Sequence, residues 1–474
     1  MFDVAVIGGG VIGGAILREL TKYKLCVCLL EQESDVAMGA SKANSGIVHA
    51  GFDAPTGSNK AKFNVEGNTM MESLCADLGV KFRRNGSLVV AFTDEDKETL
   101  TALYNRGVAN GVADMEIIDR EKLIELEPNI SAEAVGALWA KTGGIVCPYE
   151  LTIACIGNAM DNGASLFTEF EVVEIDRTET GFTILSSNGD KIQAKTVINC
   201  AGLGGGKIAS LIGDEYTIKG RKGEYILLDR ESGDFVSHTL FFTPTKLGKG
   251  ILVTQTVDNN ILLGPTAEEG EVDTRTSASG LAFVTQKAKT MCNNVPFYNT
   301  ITSFCGIRAY SDKHDFIIEE SQAVSGVFHV IGIESPGLTA SPAIAKFVVE
   351  ELVSKRLELV KNDDFNGTRK PDYFFKHLTV QEKNEIIQRN PAYGKIVCRC
   401  EQITEGEIVR AIKENPPAKD IDGVKRRTRS GMGRCQGGFC QPFVAEILAR
   451  ELNKDMTEIT KNGKGSELLT GVTK

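Results

Sequence analysis

The amino-acid sequence predicts an α/β chain in three parts. A parallel-sheet nucleotide domain is interleaved with an antiparallel-sheet domain, and a small helical module closes the C-terminus. Three observations carry this: a strand–glycine–helix–strand–acid series at the N-terminus, period-two apolar alternation in two interior stretches, and four cysteines clustered between residues 398 and 440.

Residues 3–7 read Asp-Val-Ala-Val-Ile, the β-branched run of a buried parallel strand. It passes straight into Gly8-Gly9-Gly10-Val11-Ile12-Gly13-Gly14, and helical patterning follows over 15–22. A second strand, 26–30, ends at Glu31. Each part has a mechanical task. Gly8 permits the tight turn, Gly10 lets a pyrophosphate approach the backbone, and Gly13 lets helix and strand pack closely. With Ile12 these residues form the cofactor-facing turn, and the helix N-terminus turns free N–H groups and its positive dipole end to the phosphates. Glu31 lies where a carboxylate accepts both ribose hydroxyls, which disfavours a 2′-phosphate and so NADP. The series predicts a Rossmann-type dinucleotide site.

Residues 196–206 form another apolar strand running into Ala201-Gly202. It resembles the second FAD-contacting strand of two-dinucleotide-type flavoproteins, and we place Val172, Ala201 and Gly202 against FAD. No second complete Gly-x-Gly-x-x-Gly is present, so no separate NAD domain is expected. No Cys-x₄-Cys follows the first helix, which removes a flavin disulfide reductase.

Residues 41–62 contain Ser45-Gly46-x-x-His49-Ala50-Gly51, then Gly57-Ser58-x-Lys60-Ala61-Lys62. This pattern resembles the L-2-hydroxyglutarate dehydrogenase branch of the D-amino-acid-oxidase-like flavoproteins; glycerol-3-phosphate dehydrogenases of that superfamily have a related segment. The resemblance implies that the loop lies along the flavin ring, with Ser41, Asn44, Ser45 and Gly46 on FAD and His49 near the ring. An imidazole suits removal of the hydroxyl proton when a secondary alcohol is oxidised, so His49 is the candidate base. A third family-like segment runs from Cys305-Gly306-Ile307-Arg308 through His314 and a strand at 327–333 to Glu334-Ser335-Pro336-Gly337-Leu338-Thr339. It implies that Gly337, Leu338 and Thr339 close the FAD site. Arg308 can bind FAD or a substrate carboxylate or phosphate through two parallel hydrogen bonds.

Residues 81–140 and 219–295 alternate apolar and polar positions between turns and are assigned to the antiparallel substrate domain; 1–80, 141–218 and 296–360 form the FAD domain. Gly220-Arg221-Lys222-Gly223-Glu224-Tyr225 resembles the family segment that re-enters the sheet. Arg221 and Lys222 are candidates to hold a small anionic substrate, or are simply solvated.

The eight scattered cysteines read as buried structural thiols. The other four form Cys398-x-Cys400 and Cys435-x₄-Cys440. A zinc ribbon repeats a closely spaced cysteine pair twice and fits this spacing poorly, whereas four thiolates also hold a [2Fe-2S] cluster. The spacing resembles the bacterioferritin-associated-ferredoxin-like module, and its flanking residues resemble the C-terminal domain of the large subunit of anaerobic glycerol-3-phosphate dehydrogenase. The module is placed at 393–453, with helices at 405–413 and 442–452, a linker at 361–392 and a loose polar tail at 454–474. Lys425, Arg426, Arg427, Arg429 and Arg434 are expected on a solvated face that offsets cluster charge or docks an acidic electron carrier.

A net charge of −10 over 474 residues argues against a nucleic-acid partner. Neither an apolar membrane span nor a signal peptide is evident, so the chain is expected in the cytoplasm, peripheral to a membrane if quinone is the acceptor. These readings imply an FAD-dependent dehydrogenase passing electrons through [2Fe-2S] to protein subunits or quinone. Glycerol 3-phosphate is the favoured substrate. A 2-hydroxy acid stays open, because residues 332–337 lack the lysine of the glycerol-3-phosphate family's Gly-Gly-Lys. An amine dehydrogenase, and an electron-transfer subunit whose flavin a partner reduces, also stay open.

Overall fold

The computed structural model describes residues 1–244, 250–270, 273–369 and 375–471. The strand Phe2–Ile7 lies in an eight-stranded sheet, parallel to Val27–Leu30 on one side and to Lys191–Asn199 on the other. Val327–Ile331 extends the parallel set from the second half of Lys191–Asn199, while the hairpin Val172–Thr178 and Gly181–Ser186 pairs antiparallel with its first half. Successive side chains point to opposite faces, so Val4 and Val6 enter one core and Ala5 and Ile7 another. Helices Val11–Leu20, Pro148–Asp161 and Gly337–Phe347 pack into the first core. With both faces covered, residues 4–7 and Val27–Leu30 are apolar throughout.

The second sheet has nine strands, and Ile218–Leu228 pairs with Thr300–Ser311 over nearly its whole length. Thr300–Ser311 therefore belongs structurally to this sheet, although the sequence grouping put 296–360 with the FAD domain. One pair is parallel, Ser87–Ala91 with Thr239–Phe242, so the sheet is mixed. The stretches read as alternating strands also contain helices Asp94–Asn110, Arg120–Leu126 and Ala278–Met291, capped by Thr93, Asp119 and Ser277.

The C-terminal module has the expected helices at Glu405–Lys413 and Gln441–Leu452, plus Ile421–Thr428 between them. The described part of the linker is held to the first domain. The carbonyl of Asn366 accepts from Asn158 and Asn162, that of Gly367 accepts from Arg18, and Val380–Arg389 is a helix with a Thr379/Glu382 capping box. Its residues 370–374 lie outside the described residues. The tail is a correction. Ile459 is buried, Thr460 pairs with Glu467, and Ile421 and Asp422 donate to the carbonyls of Thr460 and Lys461, so the chain to Glu467 is folded onto the module.

The basic run is a second correction. Arg426 and Arg427 are turned inward onto the buried Asp35 of the first domain, at 2.6 and 2.8 Å. Arg429 binds Asp258 of the second sheet at 2.7 Å and Glu401 at 3.1 Å. Burial alone would raise the Asp35 carboxyl, but Arg427 and Arg426 outweigh it and hold it down at about 2. Only Arg434 of this arginine set is exposed, on Asp229 and Glu231. The run is thus mostly a domain clamp.

Candidate functional site

A cavity of about 1120 Å³ opens beyond the C-terminal ends of the parallel strands and runs to the second sheet. In open parallel sheets ligands bind at this edge. Gly8, Gly10, Ile12, Glu31, Ser41, Asn44, Ser45, Val172, Ala201, Gly202, Gly337 and Leu338 all line it, as do His49, Arg221 and Arg308. Gly13, Gly46, Lys222 and Thr339 are not on its wall.

Their positions explain why. A Cβ on Gly13 would overlap the Gly8 carbonyl, so Gly13 is where the helix meets the strand turn. Gly8 has φ +110°, and a Cβ there would overlap the Cys200 carbonyl. Gly46, at φ +66°, lies against the Val146 carbonyl behind the lining loop. The Thr339 hydroxyl accepts from the His49 N–H at 2.9 Å and donates to the Ile47 carbonyl at 3.3 Å, fixing the loop from outside.

At the glycine end the Ser41 hydroxyl accepts from the Val11 N–H at 2.9 Å. Glu31 accepts from the Gly9 N–H at 2.6 Å and from the Glu33 N–H at 2.9 Å. Burial raises its pKa, and those two donors oppose the rise. A Cβ on Gly9 would stand 2.8 Å from this carboxylate, so the turn and the acid are built as one cradle. These features fit a dinucleotide with its ribose at Glu31.

At the other end His49 is held from several sides. Its carbonyl accepts from Asn64 and Asn68 at 3.0 and 2.9 Å, its Nε2 lies 3.2 Å from the Ser335 hydroxyl, and its ring centroid is 5.8 Å from that of Phe241. Tyr225, buried beside Arg308, shares a 3.3 Å hydrogen bond with Ser45. Arg308 donates through Nη2 to the Thr266 carbonyl at 2.8 Å, while its buried Nε has no hydrogen-bond partner among the described residues.

Arg221 and Lys222 are neighbours on one strand and so face opposite sides. Arg221 reaches the cavity, but Glu269 at 2.8 Å and Glu334 at 3.1 Å already hold it. Lys222 is turned to the buried Glu224 at 3.0 Å, so the structure does not support it as a substrate ligand. Lys60, to which the sequence pattern assigns no role, lines the cavity and pairs with Glu334 at 2.8 Å. A lysine therefore reaches the loop at 332–337 from helix Asn59–Leu78 instead of from the loop itself.

In the C-terminal module the Sγ atoms of Cys400 and Cys435 lie 3.6 Å apart, and the Cys398 and Cys440 thiols influence each other's titration in opposite directions. Among the described residues no three His, Cys, Asp or Glu side chains converge as a single metal ion requires. Two thiol pairs suit two irons, each taking two sulfurs, better than one tetrahedral zinc. A Cβ on Gly433 would overlap that of Cys400, so the second cysteine loop closes tightly on the first. Of the eight other cysteines seven are buried, and Cys26 is exposed. Burial pushes Cys28 up to about 12 and Cys155 to about 11, as inert structural thiols require.

Comparison with known proteins agrees with both centres. The family model "FAD dependent oxidoreductase" matches residues 3–351, and "BFD-like [2Fe-2S] binding domain" matches 396–450. A glycerol 3-phosphate dehydrogenase of Caloramator mitchellensis is 48% identical over 477 residues, covering 100% of this chain and 99% of its own. An L-2-hydroxyglutarate dehydrogenase of Caenorhabditis elegans is 33% identical, over 56% of this chain and 63% of its own. The dithionite-reduced L-α-glycerophosphate oxidase of Mycoplasma pneumoniae with FAD bound superposes with a TM-score of 0.74 at 30% identity, covering 78% of this chain and 98% of its own. No helix among the described residues is long and apolar enough to cross a membrane. The cofactors are FAD and a [2Fe-2S] cluster, and the chain belongs to the FAD-dependent oxidoreductase family, with a BFD-like [2Fe-2S] binding domain at its C-terminus.

Proposed function

We propose that the chain oxidises sn-glycerol 3-phosphate to dihydroxyacetone phosphate and sends the electrons out through its C-terminal cluster to a carrier protein or quinone. The observation that carries this reading is Arg308. Its guanidinium lines the cavity, has no carboxylate partner among the described residues, and donates only from Nη2, to the Thr266 carbonyl. A phosphate dianion offers that group two parallel charge-assisted bonds. Arg221 and Lys60 are already paired with Glu269 and Glu334, whereas Arg308 has no carboxylate partner among the described residues and keeps capacity for a substrate anion. The 48% identical dehydrogenase, which spans the whole chain, supports the same substrate.

Oxidation of a secondary alcohol removes a hydride from carbon and a proton from oxygen. FAD supplies the hydride acceptor when bound, and [2Fe-2S] supplies one-electron transfer. The chain's own residues do the rest. Arg308 anchors the phosphate and so fixes the carbinol carbon. His49 receives the hydroxyl proton at Nε2, with the Ser335 hydroxyl beside it. The backbone bonds to Thr339, Asn64 and Asn68 hold His49 in one place, an orientation that proton transfer requires. Tyr225 and Phe241 wall this end and limit water.

Steady-state oxidation with ferricyanide as acceptor tests the assignment. We expect kcat/KM for sn-glycerol 3-phosphate to exceed that for L-2-hydroxyglutarate and L-proline by at least ~10-fold; all three carry an anion that Arg308 can hold, so the discrimination comes from how well the bound anion places the reacting carbon. Preference for hydroxyglutarate or proline would overturn it.

A further inference from the structure

The helix Asn59–Leu78 turns a polar stripe toward the candidate site. An amphipathic helix ordinarily places apolar residues inward at i, i+4, i+7 and i+8. Counted from Lys60, this helix has Lys60, Asn64, Gly67 and Asn68 there, and each acts on the surroundings of His49. Asn64 and Asn68, both buried, donate to the His49 carbonyl at 3.0 and 2.9 Å. Gly67 lets the helix close onto Thr339, because a Cβ there would overlap the Thr339 carbonyl oxygen, and the Thr339 hydroxyl accepts from the His49 N–H. Lys60 acts on the other end of the residue, the ring. Its Nζ pairs with Glu334 Oε1 at 2.8 Å and donates to the His314 carbonyl at 2.9 Å, and both charged side chains are only 12% exposed. The residue after Glu334 is Ser335, whose hydroxyl lies 3.2 Å from His49 Nε2.

The lysine is itself fixed. The N–H groups of Asn59 and Lys60, which have no partner within the helix, donate to the Asp315 carboxylate at 2.9 and 3.0 Å, and the Asn59 amide donates to the Phe316 carbonyl at 3.0 Å. Glu334 is held between two cations, Lys60 on Oε1 and Arg221 on Oε2, the latter at 3.1 Å. Without Lys60 the carboxylate keeps only Arg221, on a strand of the second sheet, and the chain bearing Ser335 is free to follow it. We propose that Lys60 is a positioning residue for proton transfer: through Glu334 it keeps the Ser335 hydroxyl beside His49 Nε2, while Asn64 and Asn68 of the same helix hold the His49 backbone. The proposal rests on His49 receiving the hydroxyl proton, as proposed above. One helix thereby fixes both ends of the proton acceptor, a geometry in which a displacement of about 1 Å costs ~100-fold in rate.

The test is anaerobic stopped-flow reduction of the holoenzyme flavin by sn-glycerol 3-phosphate, which reads alcohol oxidation apart from any acceptor. Lys60→Met removes the charge, and Lys60→Gln removes it while keeping a donor in the first turn, so one variant reports if the other purifies poorly. Flavin content should match wild type. The limiting bleaching rate at saturating substrate should fall ~10- to 100-fold, with the half-saturating concentration within about threefold. In a His49→Gln background the same substitution should change the limiting rate less than about threefold, because residues in one network couple where independent ones add. Four results would overturn the proposal: an unchanged limiting rate; a raised half-saturating concentration at an unchanged limiting rate, since Lys60 would then hold the substrate itself; an equal loss in the His49→Gln background; or loss of flavin from both variants. A His49→Gln enzyme that bleaches at near the wild-type rate would instead overturn His49 as the proton acceptor, and this proposal with it.

Discussion

Replacing Asp35 by Asn should loosen the C-terminal module without touching either cofactor's ligands. The Asp35 carboxylate accepts from Arg426 at 2.6 Å and from two nitrogens of Arg427, each at 2.8 Å. All three side chains are buried. Lowering the carboxyl from 3.8 to about 2 corresponds to ~2 kcal/mol of native-state stabilisation at about 1.4 kcal/mol per unit. Removing the charge also strands two buried guanidiniums, which raises the loss to about 3–5 kcal/mol. At about 1.4 kcal/mol per tenfold, undocking becomes ~100- to 4000-fold more frequent. Native-state hydrogen exchange at pH 7, read on the amides of Ile421–Thr428, measures this directly. Because the folded-state pKa is depressed, the stabilisation is fully present above the unfolded value near 4 and is lost as pH falls through about 2. Wild-type docking should therefore hold at neutral pH and weaken from about pH 4 downward, and the variant should lack that acid step. Unchanged exchange in Asp35→Asn at neutral pH would refute the clamp.

Three further substitutions probe the FAD site. Arg308→Leu should lower kcat/KM for glycerol 3-phosphate by ~100-fold or more with FAD retained, as loss of a charged hydrogen-bonding group predicts; a change under threefold would remove Arg308 from substrate binding. His49→Gln should keep FAD but lower kcat by ~10²–10⁴-fold. Near-normal turnover would take His49 out of the chemistry. Gly13→Ala drives a Cβ into the Gly8 carbonyl, so the protein should purify with little flavin absorbance, and full FAD content would contradict the packing argument.

The sequence disclosed what is local. The glycine turn, Glu31, the loop with Ser41 and His49, and the four cysteines are each contiguous patterns, and the structure brings the first three to one cavity. Contacts between distant segments were hidden. Arg426 and Arg427 read as a solvated run because their partner, Asp35, stands about 390 residues earlier, and no periodicity signals such a pairing. Lys222 and Arg221 looked equivalent until strand pairing put them on opposite faces. Thr300–Ser311 joined the second sheet because Ile218–Leu228 offers it a long partner, a choice made by pairing and not by propensity. Lys60 shows the converse: it was present in a quoted motif, yet only the fold shows that it meets Glu334.

The central claim is that one chain carries electrons from an alcohol phosphate at the flavin to the C-terminal cluster. The direct measurement is an anaerobic titration of the holoprotein with sn-glycerol 3-phosphate, following flavin absorbance and the electron paramagnetic resonance (EPR) signal of the reduced cluster together. Flavin bleaching with the cluster signal rising in step is the predicted result. Bleaching that leaves the cluster oxidised, or bleaching by L-2-hydroxyglutarate alone, would contradict it.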